Sequence, residues 1–182
     1  GHTGQIRRAA QMILEAERPM IYAGGGIVLG NAHEELRELV EAVDAPTVCT
    51  LMGLGGLPSE HPNFISMPGM HGSYAANMAI SGADLLIALG VRFDDRVTGR
   101  LAAFAPHAKI IHVDIDPAEI SKNRNADLPI VGDLKRILPK LTANVREIRT
   151  EAGSPDRPGL KAWWKQVRAW KEENPLAVSY TH

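Results

Sequence analysis

The sequence is poor in cysteine, in long apolar runs and in excess charge of either sign. Its one cysteine, Cys49, cannot form a disulfide within the chain. No segment approaches the roughly 20 consecutive apolar residues that a membrane-spanning helix requires. The 20 lysines and arginines nearly balance the 21 aspartates and glutamates, so no net field attracts nucleic acid or an anionic membrane. These absences predict a soluble, cytoplasmic protein that binds neither nucleic acid nor membrane, in which local basic residues bind any phosphate.

The length and the amino terminus bear on the domain organisation. The 182 residues suit a single domain, because domains usually contain roughly 100 to 200 residues. The chain begins Gly-His-Thr-Gly, with neither an initiator methionine nor a signal peptide. This start predicts a part of a longer protein.

Strand patterns and helix patterns alternate along the chain. Apolar residues recur at helical spacing in some segments, and short runs rich in β-branched residues lie between them. The predicted helices are Thr3–Glu17, Ala32–Val43, Gly72–Ser81, one from Leu134 to Leu141, and Leu160–Glu173; the predicted strands are Pro19–Ala23, Pro46–Thr50, Leu85–Leu89, Lys109–Val113 and Leu128–Val131. Such alternation predicts an α/β fold with a doubly wound parallel sheet, Rossmann-like, with helices on both faces. The connection from Leu51 to His71, rich in glycine and proline, is interpreted as a functional loop.

The loop after the apolar strand Leu85–Leu89 carries the most chemical information. It begins at Gly90, which permits close backbone approach, and then alternates cations with carboxylates. Arg92 and Arg96 can bind phosphate or flavin oxygens, and Asp94 and Asp95 can hold those arginines in place. Because ligands of doubly wound sheets lie beyond the carboxyl ends of the strands, this loop is a candidate nucleotide site. A surface ion-pair network is the alternative.

Two other strand ends offer candidate ligand contacts. Gly24, Gly25 and Gly26 follow the first strand, where backbone N–H groups can receive a pyrophosphate; the alternative is a tight turn that needs positive φ. Asp114 ends the strand before Ile115, where a dinucleotide fold places an acidic residue for ribose or adenine hydrogen bonds.

Several motifs, taken together in their order and spacing, resemble one family. They are Ala23-Gly-Gly-Gly26, Thr50-Leu-Met52, Pro68-Gly-Met-His-Gly72, Arg92-Phe-Asp-Asp-Arg-Val-Thr-Gly99, Asp114-Ile-Asp-Pro-Ala-Glu-Ile120 and Val131-Gly-Asp133. The sequence from about Gly1 to about Leu141 resembles the FAD-binding central domain of the biosynthetic acetolactate synthase (acetohydroxyacid synthase) large subunit, a thiamine-diphosphate enzyme. The resemblance implies a sheet of about six strands, of which five are located above.

The resemblance also implies a set of FAD contacts. The residues that match the family's cofactor positions are Thr50, Leu51, Met52, His71, Gly72, Arg92, Asp94, Arg96, Val97, Gly132 and Asp133. Thr50, Leu51 and Met52 can alternatively be structural, as the end of a strand followed by apolar residues of the core. Asp133 can equally cap the following helix. By similarity Asp95 and Arg96 lie near the channel where herbicides bind the full enzyme.

Other polar residues are interpreted as structural. Asp116, followed by Pro117 and by Glu119 three positions on, has the pattern of a helix N-cap with a capping-box partner. His112 alternates with apolar residues on a strand and is interpreted as a core histidine. No pair of histidines has metal-ligand spacing with a third ligand nearby, so we expect no metal held by this chain.

The resemblance implies an enzyme whose chemistry lies mostly outside this chain. The full-length enzyme uses thiamine diphosphate and magnesium, held by other domains, to condense pyruvate with a second 2-ketoacid in branched-chain amino-acid biosynthesis. The 182-residue chain is therefore expected to be inactive, with residues 1–148 as the central domain and 149–182 as a connector and helix leading to a carboxyl-terminal thiamine-diphosphate domain. The implied partners are the amino- and carboxyl-terminal domains, further copies in a homo-oligomer, and a regulatory small subunit.

Two alternative functions and one structural question remain open. A nicotinamide-dependent oxidoreductase domain would have the same fold, as would a scaffold domain of another thiamine-diphosphate enzyme that binds no flavin. Near the carboxyl terminus, an apolar stripe contains all three tryptophans, Trp163, Trp164 and Trp170. These rings pack either on the domain's own core or on a domain outside this chain.

Overall fold

The computed structural model describes residues 2–69, 72–92, 105–122 and 126–173. The described helices are α1 His2–Glu15, α2 Gly25–Leu29, α3 His33–Val43, α4 Tyr74–Gly82, α5 Pro117–Lys122, α6 Leu134–Glu151 and α7 Pro158–Glu173. The described strands are β1 Pro19–Ala23, β2 Thr47–Cys49, β3 Phe64–Ser66, β4 Leu85–Leu89, β5 Lys109–Asp114 and β6 Leu128–Val131. A 3-10 turn, Leu51–Gly53, follows β2.

The six strands form one sheet in the order β3-β2-β1-β4-β5-β6. Every pair of neighbours is parallel. This confirms the predicted doubly wound α/β fold. The strand order reverses between β1 and β4, and ligands of such sheets lie in the crevice outside the carboxyl ends of the strands at that reversal.

The sixth strand, which the sequence did not locate, is β3. It pairs with β2 through Thr47 and Phe64, and the Thr47 N–H donates to the Asn63 carbonyl at 2.8 Å. The Asn63 amide in turn donates to Asp44 Oδ1 and to the Ala45 carbonyl. The segment from Leu51 to His71 is therefore not simply a loop, because it supplies an edge strand. Three residues are too few to show a strand period.

The sheet separates two apolar cores. Alternate side chains of a strand point to opposite faces, so Ile87 of β4 packs with α1, α3 and α6, whereas Leu86 packs with α4 and α7. All five residues of β4 are buried, as a parallel strand covered on both faces requires. The helices on both faces that the sequence predicted are therefore present.

The last described helix, α7, belongs to the second core. Trp163 and Trp164 are 3% and 7% exposed, and their indole N–H groups donate to the carbonyls of Pro19 and Asp44. Trp170 is half-buried and meets Trp163 edge to face, with the ring centroids 5.8 Å apart. The interpretation that the stripe packs on the domain's own core is thus confirmed for Trp163 and Trp164.

The preceding helix α6 continues to Glu151. The predicted division between residues 1–148 and 149–182 therefore falls inside this helix.

Candidate nucleotide-binding site

The loop after β1 and the loop after β4 are in direct backbone contact. The N–H groups of Gly24 and Gly26 donate to the carbonyls of Leu89 and Gly90 at 2.9 and 3.0 Å. A Cβ on Gly24 would lie 2.5 Å from the Gly90 carbonyl oxygen, and one on Gly26 would lie 2.7 Å from the Gly90 Cα. Glycine is required here because two backbones touch.

This contact changes the interpretation of the glycine triplet. Positive φ occurs at Gly90 (64°) but at none of Gly24, Gly25 and Gly26, so the alternative interpretation, a tight turn that needs positive φ, is wrong. The N–H groups of Gly24 and Gly26 already have acceptors, so they are not available to a pyrophosphate. Gly25 faces another neighbour, since its Cβ would lie 3.1 Å from the Cβ of Met52.

A cavity of about 350 Å³ opens beside this contact, at the ends of β4, β5 and β6. Its lining residues are Gly26, Leu29, Gly30, Gly90, Arg92, Asp114, Ile115, Asp116, Glu119, Asp133 and Leu134. Six of them, Gly26, Gly90, Arg92, Asp114, Ile115 and Asp133, are residues that the sequence predicted for the site. The described lining contains four carboxylates and one guanidinium, that of the exposed Arg92, so it has a net negative charge.

Asp114 is the most sheltered of the predicted polar residues. It is 7% exposed, and burial raises the pKa of its carboxyl, partly offset by a hydrogen bond from the backbone of Asp116. That bond joins the Asp116 N–H to Asp114 Oδ1 at 2.9 Å. The Asp114 carboxyl at the end of β5 is therefore a partly desolvated acceptor. A ligand hydroxyl or amine that donates to it would form a stronger hydrogen bond than in water.

Asp116 and Asp133 both cap helices. Asp116 Oδ1 accepts from the Ala118 N–H at 2.9 Å, which confirms its predicted N-cap role at α5. Asp133 Oδ1 accepts from the Lys135 N–H at 3.0 Å at the start of α6. Because Asp133 also lines the cavity, its capping role and a ligand role are compatible. The adjacent Gly132 donates its N–H to the Asp114 carbonyl at 2.9 Å.

The segment after β2 lies at the same edge of the sheet but outside the cavity lining. Thr50 Oγ1 accepts from the Gly53 N–H at 3.2 Å and so caps the 3-10 turn. Leu51 and Met52 are 70% and 76% exposed, so their interpretation as core apolar residues is wrong. An exposed apolar side chain at a ligand edge is an available contact surface.

The predicted residues and the lining residues overlap only in part. Some lining residues were not predicted, and some predicted residues do not line the cavity or lie outside the described residues. Leu29, on the short helix α2, is exposed yet lines the cavity; the only signal for it was its place one turn after the glycines. Gly72 donates its N–H to the Gly69 carbonyl and does not line the cavity. His71, Asp94, Asp95, Arg96 and Val97 lie outside the described residues.

His112 is fully buried on β5. Its Nε2 donates to the Val91 carbonyl at 3.2 Å. Burial lowers the pKa of the imidazole, against weaker opposing effects of that carbonyl and of the carboxylates of Asp114 and Glu119. The prediction of a core histidine is confirmed.

The described part of the chain contains neither a metal-ligand cluster nor a membrane-crossing helix. Within residues 2–69, 72–92, 105–122 and 126–173, no group of three histidine, cysteine, aspartate or glutamate residues is arranged to hold a metal ion. None of the helices in those ranges combines the length and the apolar character that crossing a bilayer demands.

The fold and the cavity define a doubly wound α/β domain with a ligand-sized crevice at its strand-order reversal. Residues 6–141 match the family model described as "Thiamine pyrophosphate enzyme, central domain". The chain therefore belongs to that family.

Two curated relatives show which enzymes the chain is similar to within that family. The chain is 49% identical over 178 residues to an acetolactate synthase of Mycobacterium leprae, covering 98% of this chain and 28% of that protein. It is 44% identical over 176 residues to the acetolactate synthase isozyme 3 large subunit of Escherichia coli, covering 97% of this chain and 30% of that protein. The chain thus spans less than a third of the length of these relatives.

Proposed function

We propose that this chain is the FAD-binding central domain of an acetolactate synthase large subunit. The proposal rests on the cavity at the ends of β4, β5 and β6, in a chain similar to acetolactate synthases over nearly all its length. Bound FAD would stabilise and position the active site rather than transfer electrons, because condensation of two 2-ketoacids has no net redox change.

The charge of the cavity suggests which part of FAD it takes. Four carboxylates would repel a pyrophosphate, but ribose hydroxyls and an adenine amino group are hydrogen-bond donors that carboxylates accept. We therefore assign the adenosine end of FAD to the cavity. Asp114 would accept from the ribose, Gly132 and Asp133 would lie near the adenine, and Leu29 and Ile115 would cover its apolar faces.

The phosphates would then lie toward Arg92. A guanidinium matches phosphate oxygens in charge and in planar geometry, and Arg92 is the one cation among the described lining residues. Gly26 lines the cavity, but its N–H group and that of Gly24 are already bonded, so Gly25, beside Met52, is the triplet member whose N–H group would donate to the ligand. Thr50, Leu51, His71, Gly72, Asp94, Arg96 and Val97 complete the proposed flavin-side contacts.

The remaining machinery of the proposed enzyme belongs to other segments. Thiamine diphosphate and magnesium would be held by amino- and carboxyl-terminal domains, and residues 149–182 would lead toward the latter. The intact protein would be a cytoplasmic homo-oligomer that condenses pyruvate with a second 2-ketoacid, with a regulatory small subunit as partner. This chain alone would be inactive.

Two observations favour other functions. The strand order is that of dinucleotide-binding folds, which would suit a nicotinamide-dependent oxidoreductase. However, such folds bind ribose with an acidic residue about 20 residues after the glycines. Asp44 has that spacing but lies before β2, and the residue that follows β2 is Thr50. The occupied N–H groups of Gly24 and Gly26 favour a scaffold domain without flavin.

A calorimetric titration of the 182-residue chain separates the three functions. FAD is titrated first, and ADP and NADPH are then tested as competitors in the same buffer. Saturable FAD binding that ADP weakens supports the proposal, because ADP carries the adenosine end. NADPH binding without FAD binding would establish the nicotinamide alternative, and binding of none of the three would favour the scaffold.

A further inference from the structure

A second cavity lies at the amino-terminal edge of the sheet, opposite the candidate nucleotide site. It has a volume of about 260 Å³ and lies where α3 and α6 end and α7 begins. Its lining residues are Asp44, Arg149, Asp156, Arg157, Leu160, Lys161, Trp164 and Arg168. Nothing in the proposed function uses this cavity.

The cavity is basic. Its described lining residues are three arginines, one lysine and two carboxylates, an excess of two positive charges. One of those carboxylates, Asp44, already accepts a hydrogen bond from the Asn63 amide at 3.1 Å, and the other, Asp156, is exposed. The described lining therefore keeps a net positive charge.

Two guanidinium groups in the cavity wall have buried donors without acceptors. Arg157 Nη1 donates to the Val43 carbonyl at 2.8 Å. Arg157 Nη2 and Arg149 Nε are buried and have no hydrogen-bond partner among the described residues. Burial and then the charge of Arg149 lower the pKa of Arg157, against a weaker opposing effect of the Asp44 carboxylate. Buried donors without acceptors are rare and costly, so this pair is suited to an anion that supplies the missing acceptors.

The neighbouring elements support an anion at this place. Arg157, Leu160 and Lys161 lie at the first turn of the 16-residue helix α7, where the helix dipole favours negative charge. The Arg168 guanidinium lies 4.9 Å from the Trp164 ring centroid, and the Trp164 N–H donates to the Asp44 carbonyl at 2.7 Å. The carboxyl ends of α3 and α6 carry the negative end of the helix dipole, which disfavours an anion. At α3, however, the Val43 carbonyl already accepts a hydrogen bond from the Arg157 guanidinium.

We propose that this cavity binds a small phosphate-type dianion through Arg149, Arg157, Lys161 and Arg168. The doubly ionised form of inorganic phosphate carries two negative charges and matches the excess of two positive charges. Its oxygens would accept from the guanidinium groups of Arg149 and Arg157, which line the cavity. The site shares no described lining residue with the cavity proposed for FAD.

The test measures phosphate binding to the 182-residue chain by calorimetry and by broadening of the phosphorus resonance. Sodium chloride keeps the ionic strength constant. The test variants are Arg149→Met, which keeps the aliphatic packing but removes the charge and the buried donor, and Lys161→Gln. The matched controls are Arg146→Met on the same helix as Arg149 and Lys165→Gln on the same helix as Lys161, since both residues are exposed and outside the cavity.

We expect saturable phosphate binding to the wild-type chain and the control variants. Arg149→Met and Lys161→Gln should each weaken it roughly tenfold or more, because a hydrogen bond to a charged group contributes about 1.5–3 kcal/mol. In chloride alone, Arg149→Met should melt no lower than wild type, because it removes an unpaired buried donor and a repulsion. An unchanged or higher melting temperature would show that the variant is folded and that its weaker phosphate binding comes from the changed site.

Three results would overturn the proposal. One is no saturable binding by the wild-type chain, and another is equal weakening by Arg149→Met and Arg146→Met. The third is binding of acetate without phosphate, which would identify a carboxylate site instead. Melting temperature in phosphate is a secondary readout only, because phosphate also stabilises folded proteins by exclusion from their surface.

Discussion

The indole N–H of Trp163 donates to the carbonyl oxygen of Pro19 at 3.0 Å, across 144 positions of sequence. Pro19 begins the central strand β1, and Trp163 lies on the last described helix. One buried hydrogen bond therefore joins the first strand to that helix at the amino-terminal edge of the sheet. The opposite edge contains the candidate nucleotide cavity.

Replacing Trp163 with Phe should destabilise the fold through this bond. Phenylalanine keeps an aromatic ring in the second core but leaves the buried Pro19 carbonyl without its donor, which costs about 1–3 kcal/mol. Urea unfolding measures the change in free energy of unfolding. Trp170→Phe is the matched control, because Trp170 is only half-buried; equal losses in both variants would show that ring volume, not the hydrogen bond, matters.

Replacing Gly24 with Ala should destabilise the fold more severely. The added Cβ would lie 2.5 Å from the Gly90 carbonyl and 2.8 Å from the Val91 Cα, and neither backbone can move without disturbing β4. We expect a loss of about 3 kcal/mol in unfolding free energy, at the upper end of overpacking effects. Urea unfolding of the variant and of the wild-type chain measures this loss.

The matched control for that substitution is Gly4→Ala. Gly4 lies on α1, and a Cβ added there would have no neighbouring atom within 4 Å, so the variant should gain up to about 1 kcal/mol from helix propensity. Opposite signs in the two variants are the expected result. A neutral Gly24→Ala would show that the loops after β1 and β4 separate easily.

The sequence predicted the fold class and most elements because their signals are local. The buried run Leu85–Leu89 and the apolar spacing of α3 each identify an element without reference to the rest of the chain. The strand β3 gave no such signal, because its three residues are held at the edge by pairing with β2 and by the Asn63 side chain. Those contacts are tertiary.

The candidate site was predicted less completely for the same reason. Strand ends identified Asp114 and Gly90, since chemistry at the carboxyl edge follows from the fold. The contact of Gly24 and Gly26 with Gly90 joins residues far apart in sequence, so no local pattern separates close packing from a phosphate loop. The exposure of Leu51 and Met52 likewise depends on what packs beside them.

His112 should make the stability of the domain depend on pH. Burial lowers its pKa below the ordinary 6.5, so the unfolded chain binds a proton more readily than the native one. The stabilising effect is present above pH 6.5 and is lost as the pH falls toward the native pKa, by at most about 1.4 kcal/mol per pH unit. Asp114, whose pKa burial raises, acts in the opposite direction.

The variant His112→Gln tests this assignment. Glutamine keeps an N–H donor for the Val91 carbonyl but does not titrate. Urea unfolding at about pH 7.5 and 5.5, on either side of the ordinary histidine pKa, should show a smaller loss of stability on acidification for the variant than for wild type. The same loss on acidification in both proteins would mean that other groups cause the pH dependence.

Arg92 and Asp114 should contribute to binding of different parts of FAD. Arg92→Ala removes the cation assigned to the phosphates, so it should weaken FAD and ADP roughly tenfold and leave adenosine binding unchanged. Asp114→Asn removes the carboxylate assigned to the ribose and should weaken all three ligands. Arg8→Ala, at an exposed position of α1 away from the cavity, is the control for loss of one positive charge. If Arg92→Ala weakened adenosine as much as ADP, the assignment of the adenosine end to the cavity and the phosphates to Arg92 would be wrong.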